Sequence, residues 1–165
     1  MSVDAAGFRE ALGRFTSGVC VVTTTDSDGL PAGVTISAFA SLSLDPPLVL
    51  FCIGKRSSNL DAWLEAPRFS VNVLSESQRA LAELFASQAP DKFAGVAGSI
   101  GGNGCFRLDG ALVTLECRRT GLHDEGDHYI VVGLVERVVP GSDGGPLIRY
   151  RAAYRHIAAA SPVGQ

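Results

Sequence analysis

The sequence predicts a mainly β domain of antiparallel strands and a few short helices, closed into a barrel-like sheet rather than a doubly wound one. Three observations predict it. Runs rich in β-branched residues recur along the chain between clusters of turn residues. Val19–Thr25 and a second run ending near Ser37 are separated by the turn residues Asp26–Gly29, a hairpin connection that antiparallel strands use. The helical patterns are short and do not alternate with the strands, as a parallel α/β sheet would require.

In chain order, residues 4–16 read as a helix, with Phe8, Leu12 and Phe15 on one apolar face. The first hairpin follows. In "SLSLDPPLVLFCI" a proline pair unsuited to a central ladder precedes a buried strand at Leu48–Ile53. "SSNLDAWLEA" reads as a short helix with Ser58 as N-cap and Pro67 closing it. Phe69–Leu74 is a strand. Ser77–Phe85 is a helix with Leu81, Leu84 and Phe85 inward. Residues 86–106 read as a long irregular loop holding "GSIGGNG", a length that favours a functional or mobile role. Strands return at Ala111–Arg119, Tyr129–Val139 and Leu147–Tyr150, with "PGSDGGP" as a hairpin turn between the last two. Residues 158–165 are expected to fray. Neither an internal repeat nor a linker interrupts this, so residues 1–165 are expected to form a single domain.

Composition narrows the function. Hydrophobic residues make up 46% and charged residues 19%, which is globular. A net charge of −3 argues against a nucleic-acid or anionic-membrane surface. No apolar run reaches bilayer length, and "MSVDAAGFRE" lacks a secretory pattern, so a cytoplasmic protein is expected. The four cysteines show no C-x-x-C pair or zinc spacing, so no metal site is expected. Cys20, Cys52 and Cys117 read as small core residues, while Cys105 in its glycine-rich loop is expected nearer the surface. P-loop, Rossmann, nucleophile-elbow and zincin motifs are absent.

Three segments could carry chemistry. "GKRSSNLDAW" puts Lys55, Arg56, Ser57 and Ser58 at a helix start, either an ordinary cap or an anion site suited to phosphate. "GVTISAFASLSLDPP" offers hydroxyls and backbone groups among small residues, either a polar edge strand or a surface for a flat heteroaromatic ring. "GDHYIVVGLV" sets His128 at the mouth of an apolar strand, either as part of a turn or as an imidazole facing a ligand.

Together these segments resemble the flavin reductase-like family with the FMN-binding split-barrel fold. The resemblance runs through "LGRFTSGVCVVTT", "VTISAFASLSLDPPLVLFCIGKRSSNL", "FSVNVL", "DKFAGV", "LDGALVTLEC" and "GDHYIVVGLVERV". It implies a homodimeric NAD(P)H:flavin oxidoreductase of the two-component type, with sites at the dimer interface. Such a protein reduces FMN or FAD with NADH or NADPH and supplies the reduced flavin to a separate monooxygenase. By the same resemblance, Thr35, Ile36, Ser37 and Ala38 line the isoalloxazine ring, with Ser41 nearby. Cys52, Lys55, Ser57 and Ser58 surround the ribityl chain and phosphate. Lys92 and Phe93 close over the flavin, His128 meets the nicotinamide, and Tyr154 is the aromatic residue near the site. "GNGCFRLDGA" departs from the family pattern at Cys105–Arg107. The alternatives are a flavin carrier of this fold with another substrate or redox partner, and a non-enzymatic flavin-binding module.

Overall fold

The polypeptide, seen in a computed structural model that describes residues 3–157, is dominated by strands. In order the elements are α1 (Ala5–Gly13), β1 (Ser17–Gly18), β2 (Cys20–Thr25), β3 (Pro31–Ile36), β4 (Phe39–Leu44), β5 (Pro47–Gly54), α2 (Leu60–Glu65) and β6 (Arg68–Val73). A 3-10 turn at Glu76–Gln78 leads into α3 (Arg79–Ala86). Then come β7 (Gly98–Ile100), β8 (Phe106–Leu108), β9 (Val113–Glu125), β10 (His128–Pro140), β11 (Ile148–Tyr150) and β12 (Ala153–Arg155). The tail expected to fray lies outside the described residues.

Seven strands pair in the order β3-β2-β6-β9-β10-β5-β4, every pair antiparallel. The two ends of that order, β3 and β4, are joined through Ser37 and Ala38, and Cys52 N donates to Ala38 O at 3.0 Å. The sheet therefore curls back on itself at this corner, giving the split barrel. Strand alternation then sorts side chains to two faces. Cys20, Val22, Ile36, Val49, Phe51, Phe69, Val71, Cys117 and Val131 form one core cluster. Trp63 of α2 joins it, edge-on to Phe51 at 5.9 Å between ring centroids. Val19, Val21, Leu74, Ala82, Phe85, Leu108 and Leu147 form a second cluster on the opposite face, where α3 packs.

A polar knot ties the two layers. Asn72 on β6 is fully buried, and its amide donates to Val21 O at 3.1 Å. Its Oδ1 accepts from Leu108 N and Thr114 Oγ1, both at 3.0 Å. Every capacity of this amide is spent on joining β2, β8 and β9.

Several expectations are corrected. The first helix is Ala5–Gly13, stopped short of residue 16, and begins at Asp4, whose Oδ1 accepts from Gly7 N at 2.7 Å. Its apolar residues are not packed: Phe8 and Leu12, and Phe15 just past the helix end, are all exposed. Ser58 is not the cap of α2. Asn59 holds that place, at φ 59° and without a side-chain bond. "GSIGGNG" is not irregular, because β7 and β8 pair around it as a hairpin. Asn103 pins it by accepting from Cys105 N at 3.1 Å and donating to Phe69 O at 3.0 Å. This buries Cys105, expected nearer the surface, and burial pushes its thiol up to about 11. "PGSDGGP" is not a hairpin turn. Gly145 O accepts from Glu76 N, which carries the chain away from β10, and β11 pairs with β1 and β12 instead.

Candidate active site

On the outer face of the barrel, between α3 and the β3–β4 corner, lies a cavity of about 350 Å³, within the range of small-molecule sites. Strand alternation selects its walls. On β5, Val49, Phe51 and Ile53 are buried, so Cys52 and Gly54 stand on the other face, toward the cavity. Gly54 is directly opposite His128 in the β5–β10 register, and cross-strand partners share a face. His128 therefore reaches the cavity from the next strand. A β-carbon at Gly54 would sit 3.4 Å from His128 Nε2, at the edge of ordinary contact, so the two residues lie side by side at the cavity.

The third wall is α3. Thr35 Oγ1 donates to Ala82 O at 2.7 Å, tying β3 to the helix. A β-carbon at Gly33 would come 2.6 Å from the Phe85 ring, so only glycine lets the helix lie this close. Phe85 stacks edge-on to Phe93 at 5.0 Å, and Phe93 to Phe106 at 5.2 Å. This aromatic row carries the wall from the β7–β8 hairpin to the cavity.

Nine of the thirteen residues named from the sequence line this space: Thr35, Ile36, Ser37, Ala38, Cys52, Ser57, Ser58, Lys92 and His128. Four stand elsewhere. Ser41 lies opposite Val49, on the face of Phe39 rather than that of Cys52. Lys55 is drawn away: its ammonium pairs with Asp124 and lies 5.2 Å from the Tyr129 ring centroid. The hydrogen bond to Asp124 raises its pKa above the ordinary lysine value. Phe93 is part of the supporting row behind Phe85. Tyr154 sits on β12 between the guanidinium groups of Arg79 and Arg149, at 5.9 and 5.6 Å. Val34, Ile53, Gly54, the last residues of α3, Phe85 and Ala86, and Ser87 and Gln88 just beyond it also line the cavity and were not named from the sequence. Period-two alternation from Cys52 could have found Gly54. The α3 residues had no local signal, since only packing brings them to β3.

The polar groups are placed for a ligand. Ser37 and Ala38 lie between strands, and their N–H groups donate to no backbone carbonyl among the described residues. Ser57 Oγ makes one long bond, 3.3 Å to Ser58 O. Lys92 is 9% exposed, donates to Phe85 O at 3.1 Å, and is pushed below the usual lysine range by burial. His128 Nδ1 lies 2.7 Å from Asp127 Oδ1. Strand alternation alone would have pointed these neighbours apart, but Asp127 belongs to the turn before β10. A carboxylate only accepts, so Nδ1 donates. In the neutral ring Nε2, the nitrogen beside Gly54, is thereby fixed as an acceptor. The same bond holds the Asp127 carboxyl below its usual value.

The family model described as flavin reductase like domain matches residues 12–158. The chain belongs to the flavin reductase-like family. The HsaB reductase subunit of a flavin-dependent monooxygenase from Mycobacterium tuberculosis is 41% identical over 157 residues, 94% of this chain and 83% of that protein. The FMN reductase (NADH) SmoA from Agrobacterium fabrum is 44% identical over 144 residues, 87% and 81% of the two chains. Among solved structures, the NADH:FAD oxidoreductase SgcE6 of Streptomyces globisporus C-1027, in complex with NAD and FAD fragments, superposes with a TM-score of 0.88. It is 32% identical, with 98% of this chain and 96% of that one covered.

Proposed function

We propose that this chain is an NAD(P)H:flavin oxidoreductase that reduces FMN or FAD and passes the reduced flavin to a separate monooxygenase. One observation carries the reading: the cavity joins free backbone N–H groups, an oriented imidazole and a buried cation along a wall of small residues. That set fits a flat, hydrogen-bonding, anionic ligand. The relatives support it, being named for FMN with NADH, for FAD with NADH, and as a monooxygenase subunit.

When bound, flavin and nicotinamide would supply the hydride-transfer chemistry themselves. The protein's part is positioning. The N–H groups of Ser37 and Ala38 offer donors to ring carbonyl or nitrogen acceptors. Thr35 sets the bend through its bond to Ala82 and has no hydroxyl hydrogen to spare for the ring. Ser57 and Ser58 offer hydroxyls to the ribityl–phosphate end. His128 Nε2 meets the nicotinamide amide or its ribose. Phe85, braced by Phe93, closes the apolar side and excludes water.

The purified protein is expected to oxidise NADH or NADPH only when FMN or FAD is added, at a rate that scales with the flavin. Oxidation that stays at background with all four nucleotide–flavin pairs would remove the reading. The protein is also expected to be a homodimer. Phe8 and Leu12 on α1, Phe15 just past its end, and Leu44 at 94% exposure on β4 leave apolar surface that a second copy would cover. Light scattering at micromolar concentration checks this, and a monomer that keeps full activity would refute it. A cytoplasmic setting fits four free cysteines and the absence, among the described residues, of a helix long and apolar enough to cross a membrane.

A further inference from the structure

We propose that Lys92 is the cation against which the flavin ring acquires its negative charge, so that the cavity holds reduced flavin more tightly than oxidised flavin. The proposal rests on the reading above that flavin occupies this cavity.

The starting observation is a charge without a counter-ion. The Lys92 ammonium is buried, and its one hydrogen bond among the described residues goes to Phe85 O. An ammonium has three donors. No carboxylate stands within ion-pair distance of it among the described residues. The adjacent Asp91 is turned into its own backbone, where Oδ1 accepts from Phe93 N and Ala94 N at 3.0 Å each. The cavity is lined by neither aspartate nor glutamate. A buried, unpaired charge is costly, and burial already draws this lysine below its ordinary pKa. An anion brought by the ligand offsets that cost.

The proposed ligand offers two anions, its phosphate and the ring after reduction. Placement decides between them. Lys92 is tied to α3 through Phe85 O, and α3 is tied to β3 through Thr35. The ammonium thus belongs to the wall of the Thr35–Ala38 bend, which the resemblance assigns to the ring. The hydroxyls suited to phosphate, Ser57 and Ser58, belong to the connection between β5 and α2. In the reaction the nicotinamide C4–H bond breaks and its hydrogen leaves with the electron pair, forming a bond to flavin N5. The nicotinamide becomes NAD(P)⁺ and the neutral ring becomes an anion. A fixed ammonium favours that charged product, and the transition state leading to it, over the neutral ring.

The test uses Lys92→Met in the full chain. Oxidised and reduced FMN and riboflavin are titrated anaerobically, and the midpoint potential of bound flavin is measured. The Kd for both reduced ligands is expected to rise about tenfold, the size of one lost charge-assisted bond, while the oxidised forms change by less than about threefold. The potential of bound flavin is then expected to fall by about 30 mV, the two-electron equivalent of tenfold. Lys92→Arg should restore most of the difference. A loss confined to FMN in both oxidation states would put the ammonium at the phosphate and overturn the proposal. Equal losses for all four ligands, or none, would make Lys92 a brace for the α3 carbonyl and overturn it as well. Should Lys92→Met fail to fold, Lys92→Gln keeps a donor for Phe85 O and carries the same titrations. A wild-type protein that binds flavin in neither state would strike the flavin reading itself, a separate failure visible before any variant is made.

Discussion

Asn72→Leu is expected to destabilise the fold by about 3–5 kcal/mol, a large share of the roughly 5–15 kcal/mol that holds a domain together. The side chain is fully buried, and its four contacts reach three other strands. Leucine is close in size, so the loss is polar rather than a cavity. Leu108 N–H would lose its acceptor inside the protein, Thr114 would lose the acceptor for its hydroxyl, and Val21 O would lose a donor. Each orphaned group costs about 1–3 kcal/mol. At about 2–4 °C per kcal/mol for a chain of this size, the midpoint should fall by roughly 10 °C. The damage should also reach the cavity. Leu108 ends β8, which carries Phe106, and Phe106 braces Phe93 and Phe85. Thermal denaturation with and without flavin checks both parts. A shift of under about 2 °C would mean that water or rotated side chains replace the lost bonds.

What the sequence made legible follows from the range of the forces involved. Strand identity came from local patterns of β-branched residues, and these placed β2, β3, β5, β6 and β10 within a few residues, whereas β9 runs past the expected end at Arg119 to Glu125. Pairing order is a long-range property. The "PGSDGGP" segment looked like a hairpin because its composition is that of a turn, yet Glu76, far away in sequence, captures Gly145. The exposed apolar face of α1 shows the same limit from the other side. Phe8, Leu12 and Phe15 have helical spacing, which says that something covers them but not what. For the cavity, strand residues were legible because a motif and an alternation place them. The resemblance puts Lys55 with Ser57 around the phosphate, and tertiary structure gives it to Asp124 instead. Lys92 carried no local mark of burial. Only the docking of α3 on Gly33 makes the space it fills.

His128→Ala is expected to lower kcat/KM for NADH by about two- to twelvefold, the equivalent of one lost hydrogen bond of about 0.5–1.5 kcal/mol, and to leave flavin Kd unchanged. Gly54 stands directly opposite His128, which brings the imidazole to the cavity from the neighbouring strand. The Asp127 carboxylate accepts a hydrogen bond from Nδ1–H, so in the neutral ring Nε2 is presented as an acceptor to an amide or ribose hydroxyl. Asp127→Ala should therefore act in the same direction but less, since the ring stays and only its tautomer and angle are released. The pair also sets a pH limit. Asp127 has its pKa lowered by the hydrogen bond to His128, so it binds protons less readily folded than unfolded. What the pair contributes is complete above the ordinary aspartate value near 3.9 and is lost as pH falls through the lower folded value. Both carboxylate and orientation are thus intact at neutral pH, and the KM for NADH should not report Asp127 titration between about pH 6 and 8. A histidine that merely closes the turn makes another forecast: His128→Ala would lower the melting temperature and weaken flavin and NADH alike. The deciding measurement pairs flavin Kd with NADH kinetics on the same variant. NADH kinetics equal to wild type would end the assignment of this imidazole to the nicotinamide.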